Sequence, residues 1–330
     1  MFRLTRRNMA GLLCLAAATV LPAGAWAQTV LTLGHGAAPG NPRSVAAEKF
    51  AELVAEKTGG TVTIRIAGAE QLGNDVAMLT SLRTGSLDFT INSQGAASGL
   101  VPELAALGLP FLFDDPADAF DVLKGPVGEE LSARFDAVGI VTLDWWDNGI
   151  RHITNAKRSI NQPDDLKGLK IRTPADPMTV DIFRALGAAT EQISFSELYV
   201  ALQQGVVDGQ ENPLANIASS KLYEVNPFIS LSAHKWESTP FLMSKIAAGR
   251  VSAEQLKALR EAAVEAGNLQ RRMMGEAEQK LRAEFEKNSK VTVNEPDREA
   301  LRAATAPVYD AWKAKEFGTF VTSLVQAAGN

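Results

Sequence analysis

The sequence predicts an α/β protein built as two lobes. Three observations carry this. Strand-like and helix-like segments alternate from residue 30 onward. A second series starting near Gly168 repeats the order of the first. A helical pattern runs from Ser252 to about Lys287. It is too long for one domain, since ~36 helical residues span ~54 Å at 1.5 Å per residue.

Val30–His35 reads as a first strand running into a turn. Ser44–Thr58 has helical spacing through Val45, Phe50, Leu53 and Val54, and Gly59-Gly60 stops it. Val62–Ile66 alternates as a second strand. Asp75–Thr84 is a short amphipathic helix closed by Gly85, and Leu87–Ile91 is a third strand. The strand-helix-strand order implies a parallel sheet, whose ligands bind beyond the carboxyl ends of the strands. Ile140–Trp146 is a further strand. Gly168–Arg172 opens the second series, with helices over Pro177–Gly187 and Glu197–Gln204 and a short strand over Val206–Gly209. Leu82-Arg83-Thr84-Gly85-Ser86-Leu87-Asp88 is echoed by Leu202-Gln203-Gln204-Gly205-Val206-Val207-Asp208, which suggests two similar lobes. The long helix either bridges them or breaks near Gly267. Asp297–Ala314 and Glu316–Ala328 add helices.

The first 27 residues read as a secretory signal peptide: Arg3, Arg6 and Arg7, then an apolar run from Met9 to Val20, then Ala25-Trp26-Ala27 before Gln28. Thr5-Arg6-Arg7-Asn8-Met9 also resembles a twin-arginine signal, so export by the Sec route or the twin-arginine route is expected. The one cysteine, Cys14, lies in this leader, so the mature chain forms neither a disulfide nor a cysteine-ligated metal site. Removing the three leader arginines leaves 30 basic against 38 acidic residues, a net of −8. That balance argues against a nucleic-acid partner and requires any anion site to be positive only locally.

The chemistry-bearing stretch runs from residue 148 to 213. It holds Asn148-Gly149-Ile150-Arg151, Leu169-Lys170-Ile171-Arg172-Thr173-Pro174 and Asp208-Gly209-Gln210-Glu211-Asn212-Pro213. Arginine is a planar fork of donors that matches a carboxylate bidentately and keeps its charge. Arg172 falls at a strand end before Thr-Pro, and its competing use is a surface pair with Asp176. No nucleophile–base set, zinc motif, dinucleotide fingerprint or phosphate loop accompanies these arginines. The expectation is capture of a small organic anion by a non-enzyme with no cofactor. Two carboxylates acting as a glycosidase pair stay open at this point.

Gln71-Leu72-Gly73-Asn74-Asp75, Gly85-Ser86-Leu87-Asp88, Leu109-Pro110-Phe111-Leu112-Phe113, Gly168-Leu169-Lys170-Ile171-Arg172, Phe195-Ser196-Glu197-Leu198-Tyr199 and Asp208-Gly209-Gln210-Glu211-Asn212-Pro213 together resemble the DctP-type solute-binding proteins of TRAP transporters, over the whole mature chain. The resemblance implies a periplasmic, monomeric, two-lobed binding fold with crossover strands and a long lobe-spanning helix. It implies delivery of a carboxylate to a pair of membrane permease subunits. Lobe one would be residues 28–149 plus 238–277, and lobe two 150–237 plus 278–330. Arg172 would clamp the ligand carboxylate, with Arg151 as a second arginine, Asn212 on the carboxylate or a hydroxyl, and Phe195 as an apolar platform. Glu211 reads as structural.

Candidates for the rest of the ligand are His35, Asp75, Asn92, Ser93 and Gln94 from lobe one, with Trp146 stacking on a sugar ring and His234 or Glu237 reaching in from the second crossover. Asp75 has an alternative use as a helix N-cap. Members that bind sialic acid carry Glu and Arg where this chain has Ser93 and Ala96, which disfavours that ligand. Lobe one offers no strand-end arginine, only Arg43 at a helix start. One carboxylate and several hydroxyls therefore suit the residues better than two carboxylates, pointing to a hexuronate such as glucuronate or galacturonate, or an aldonate. The alternatives are a C4-dicarboxylate or small hydroxy-acid binder, or a binding protein serving a sensor.

Overall fold

The structure, a computed structural model, describes residues 28–329. The expected signal peptide therefore lies outside the described residues. The strands are β1 (Thr29–His35), β2 (Val62–Ala67), β3 (Phe89–Ile91), β4 (Ile140–Asn155), β5 (Lys170–Thr173), β6 (Ala189–Gln192), β7 (Gly209–Asn212), β8 (Phe228–Ser244) and β9 (Thr292–Asn294). They form one sheet in the order β2-β1-β3-β8-β4-β7-β5-β6, with β9 paired to β8.

The sheet is mixed rather than parallel. β1 lies parallel between β2 and β3, and β5 lies parallel between β6 and β7. The two long strands β4 and β8 run antiparallel to each other through the middle and are antiparallel to β7 and β3. β4 has 16 residues. At about 3.3 Å per residue a strand of that length reaches ~53 Å, enough to belong to both lobes.

The sequence echo is a structural repeat. Each half is strand, helix, strand, helix, strand, and the last strand of each docks antiparallel on a crossing strand. The Asp88 carboxylate accepts the Thr32 amide (2.7 Å), and its carbonyl accepts the Ser244 amide (2.9 Å). The Asp208 carboxylate accepts the Lys170 amide (2.9 Å), and its carbonyl accepts the Ala156 amide (2.9 Å). One aspartate in each half thus ties its last strand to its first strand and to a crossing strand.

Some elements differ from expectation. The strand expected at Val206–Gly209 begins only at Gly209. Gly205 is left-handed (φ 69°) and Val206 is exposed, so the β-branched pair turns the chain instead of pairing it. β4 extends past Trp146 to Asn155 because Gly149, at φ 109°, absorbs a register shift where Asn-Gly reads as a turn.

The long helix Ala253–Lys287 is unbroken and starts with a Ser252–Gln255 capping box. It packs on β4, on the helix Pro42–Lys57 and on the helix Leu214–Ser219, so it spans both halves. Gly267 does not break it but permits close approach to β4. A Cβ there would lie 2.1 Å from Asp144 Oδ2 and 2.7 Å from Trp146 Nε1. Gly267→Ala is accordingly expected to destabilise the fold by ~1–3 kcal/mol despite alanine's better helix propensity. A melting temperature equal to or above that of the wild type would show that this packing is looser than described.

Trp146 corrects another expectation. It is fully buried, donates from Nε1 to the Ala263 carbonyl (3.1 Å) and sits edge-on to Phe241 at 5.1 Å. Both faces of β4 are covered here, and Trp145 packs the other way against Phe135 (6.3 Å). Neither ring is among the residues that line the cleft.

Candidate functional site

The cleft lies where the ends of β5 and β7 face the loop after β1 and the start of the helix Asp75–Thr84. Its cavity volume is about 50 Å³. An adjoining void shares Glu70, Asp75, Ser93, Arg172 and Phe195 with it.

Arg172 is in β5 and is only 3% exposed. Its Nε donates to the Ile193 carbonyl (2.8 Å), and its guanidinium lies 5.8 Å from the Phe195 ring centre. No carboxylate pairs with it, and its two terminal nitrogens donate to no protein acceptor among the described residues. Asp176, the alternative partner in sequence, is held by Lys235 (2.6 Å) and by Thr179 (2.5 Å), and it caps the next helix. Burial without a paired carboxylate pushes the Arg172 pKa down to about 10, which leaves it charged at neutral pH. It is a positive fork held by its base and open at its tip.

Arg151, in β4, also lines the cleft but is committed within the protein. Its Nε and Nη2 donate to the Glu211 carboxylate, Nη1 donates to Glu237, and Nη2 reaches the Glu211 carbonyl (2.8 Å) and Asn212 Oδ1 (3.3 Å). Burial opposes its charge, but Glu211 and Glu237 outweigh burial and raise its pKa. The same contact, led by Arg151, overcomes burial to hold Glu211 below the ordinary carboxylate range. The structural reading of Glu211 therefore matches its contacts. Asn212 ends β7, donates to Gln210 (2.5 Å) and accepts from Asn216 (3.0 Å). Glu237 accepts from Asn148 (2.6 Å) as well as from Arg151.

Among the lobe-one candidates, Asp75 and Ser93 line the cleft. Asn74 caps the helix, accepting from the Ala77 amide (3.0 Å), so Asp75 is free of that duty. Asp75 Oδ2 accepts the Ser93 amide (3.3 Å), while Oδ1 is buried with no partner. Asn92 and Gln94 lie behind the wall. Asn92 donates to the Asp75 carbonyl (3.0 Å), and Gln94 accepts from the Ser238 amide (3.0 Å) and hydroxyl (2.9 Å). His35 is fully buried. Its Nδ1 accepts the Ala37 amide (3.2 Å), and burial followed by Arg43 pushes its pKa down to about 4. It is a neutral support under the loop rather than a cleft residue. His234 is likewise buried, 3.4 Å from Glu211.

The sequence reading missed Glu70 and Asn216, gave Asn148 no role within the chemistry-bearing stretch it opens, and discounted Arg43; all four line the cleft. Arg43 donates to Asn148 (2.7 Å), and among the described residues it pairs with no carboxylate and its buried Nε has no partner. Lobe one therefore does present a cation. The signal was available: a basic residue in the first turn opposes the helix dipole and needs some other reason to be there. The lobes also touch around the cleft. Glu70 accepts the Ser196 amide (3.0 Å), Asn74 donates to Ser194 (3.0 Å), and Asn41 donates to Asn216 (2.9 Å). Among the described residues no group of three or more His, Cys, Asp or Glu is placed to hold a metal ion.

Two α/β lobes joined by crossing strands, with a buried cationic fork in the cleft, define a solute-binding protein. The chain belongs to the bacterial extracellular solute-binding protein family 7, DctP, whose model matches residues 33–316. Proteins of this family bind small carboxylates and work with TRAP membrane permeases in the periplasm; they are binding proteins rather than catalysts. The chain is 64% identical over 94% of its length to the protein y4mM of Sinorhizobium fredii, and spans 58% of that protein's length. It is similar to the sugar acid binding protein DctPAm of Advenella mimigardefordensis in complex with galactonate (TM-score 0.88, 34% identity, 92% of this chain and 98% of that one). It is also similar to a TRAP periplasmic solute-binding protein of Roseobacter denitrificans with bound β-D-glucuronate (TM-score 0.85, 33% identity, 91% and 98%).

Proposed function

We propose that this protein captures a sugar acid, a hexuronate or an aldonate, and presents it to TRAP permease subunits. The observation that carries this is Arg172, a buried guanidinium whose terminal donors have no partner among the described residues. The ligand carboxylate takes both terminal nitrogens and supplies the missing counter-charge. Phe195 supports the carbon skeleton. Asn212 is held at the carboxylate end by Arg151 and Asn216. Arg151 orders Asn212, Glu211 and Glu237, and contributes positive potential more than free donors. The galactonate and glucuronate bound by similar proteins support this ligand class. Lobe boundaries at 28–149 with 238–277 and 150–237 with 278–330, a monomeric state, and export by the Sec or twin-arginine route complete the reading.

Arg43 favours a second reading, a C4-dicarboxylate with one charge at each guanidinium. A thermal-shift screen of uronates, aldonates and C4-diacids separates the two. A ligand at 100 times its Kd stabilises by about 2.7 kcal/mol, which raises the melting temperature by several degrees. The sugar acids are expected to give this shift. A response to succinate or malate alone makes the second reading the right one.

A further inference from the structure

We propose that Asp75, assisted by Glu70, sets the specificity of the cleft by accepting ligand hydroxyls and repelling a second carboxylate. This rests on the sugar-acid reading and assigns its selectivity to two residues of lobe one.

Asp75 Oδ1 is buried, lines the cleft and has no protein partner. A buried carboxylate oxygen left unpaired is costly, so its place in the wall calls for a donor from the ligand. The donor is not among the described residues: Ser93 binds the other oxygen, and Asn92 binds the backbone carbonyl.

Glu70 stands close by. A Cβ on Gly36 would lie 3.6 Å from Glu70 Oε1 and 3.6 Å from Asp75 Oδ1, so the bare glycine separates the two oxygens. Glu70 Oε2 is taken by the Ser196 amide, which leaves Oε1 directed to the same region. Ala69 and Glu70 both adopt left-handed backbone angles, with φ 52° and φ 59°. That strained conformation holds the carboxylate there. Burial, with Asp75 as a further contributor, raises the Glu70 pKa.

Arg43 does not undo this arrangement. Burial lowers its pKa, Asp75 and Glu237 offset only part of that, and one of its terminal nitrogens is on Asn148. A carboxylate arriving at the lobe-one end meets Asp75 Oδ1 and Glu70 Oε1, while a hydroxyl there donates to them. Discrimination of this kind comes from a repulsive contact with the wrong ligand as much as from an attractive one with the right ligand.

The test uses a pair of acids differing only at the far end: galactonate, which ends in a hydroxymethyl group, and galactarate, which ends in a second carboxylate. Calorimetry on the wild type is expected to show galactonate at least ~10-fold tighter, the scale of one charge-assisted hydrogen bond gained or lost. Asp75→Asn keeps an acceptor for the Ser93 amide but removes the charge. It is expected to weaken galactonate and to shrink the ratio by ~10-fold or more. Glu70→Gln, which still accepts the Ser196 amide, should move the ratio the same way by less, and it carries the test if Asp75→Asn does not fold. Equal affinity of the wild type for both acids, or an unchanged ratio in a folded variant, overturns the filter and leaves the sugar-acid reading intact. Binding of neither acid overturns the filter, and failure of glucuronate and galacturonate as well overturns the sugar-acid reading.

Discussion

Arg172→Ala abolishes measurable binding of every carboxylate ligand while the protein stays folded. Two charge-assisted hydrogen bonds of about 1.5–3 kcal/mol each correspond to a loss of roughly 10²–10⁴-fold in affinity. The fold tolerates the change because, among the described residues, the guanidinium makes only one hydrogen bond, to the Ile193 carbonyl, and because burial disfavours its charge. Removing an unpaired buried charge is expected to raise the melting temperature of the ligand-free protein or leave it unchanged. Arg172→Lys loses nearly as much affinity, since an ammonium cannot bond both carboxylate oxygens in one plane. Calorimetry on both variants checks this. Affinity within ~3-fold of the wild type for either one would remove Arg172 from the carboxylate site.

Glu211→Ala has the opposite profile, with a large loss of stability. Arg151 and Glu211 are 2% and 0% exposed at the side chain, joined by a two-point contact where β4 meets β7. Cutting Glu211 out of this buried network leaves Arg151 with Glu237 as its remaining carboxylate among the described residues, and costs ~3 kcal/mol, the low end for a broken buried pair. In a chain of this size that lowers the melting temperature by about 10 °C. The double variant Arg151→Met/Glu211→Leu should recover only part of that loss, because the buried Glu237 then loses its Arg151 contact. The pair also carries a pH signature. The folded pKa of Glu211 lies below its ordinary value of 4.5, so the unfolded chain binds more protons in acid. This contribution is fully present above pH ~4.5 and is lost as the pH falls towards the folded pKa. Chemical denaturation of wild type and Glu211→Ala at pH 7 and pH 3 measures it. A stability difference equally large at both pH values would contradict the ion-pair assignment.

Lobe architecture was legible because it is written in apolar periodicity and in turn residues. The first three strands and their two helices fall close to their expected bounds. The Asp88 and Asp208 echo proved to be two copies of one hydrogen-bonding joint. Strands β7 and β8 were hard to read for a physical reason. β7 is Gly-Gln-Glu-Asn, buried along its whole length within a polar network, so alternation of apolar and polar residues never appears. β8 carries Ser232, His234, Lys235, Glu237 and Ser238 fully buried, an arrangement that composition alone assigns to the surface. Trp146 was misplaced because alternation tells which side of a strand a residue faces, not what covers that side. Arg172, singled out by a strand end, a Thr-Pro turn and the family resemblance, lines the cleft. Arg43 was passed over as a helix start, and Glu70 lies in a left-handed turn whose shape no spacing rule announces.

Calorimetric titration of the wild-type protein with galactonate and with galactonamide, its uncharged amide, isolates the carboxylate clamp. The two share every hydroxyl and differ only at the group assigned to Arg172. Galactonate is expected to bind, and galactonamide to bind at least ~100-fold more weakly, the loss of two charge-assisted bonds to an arginine that then stays unpaired. Comparable affinity for acid and amide would mean that the cleft reads hydroxyls alone and that Arg172 is not its anion site.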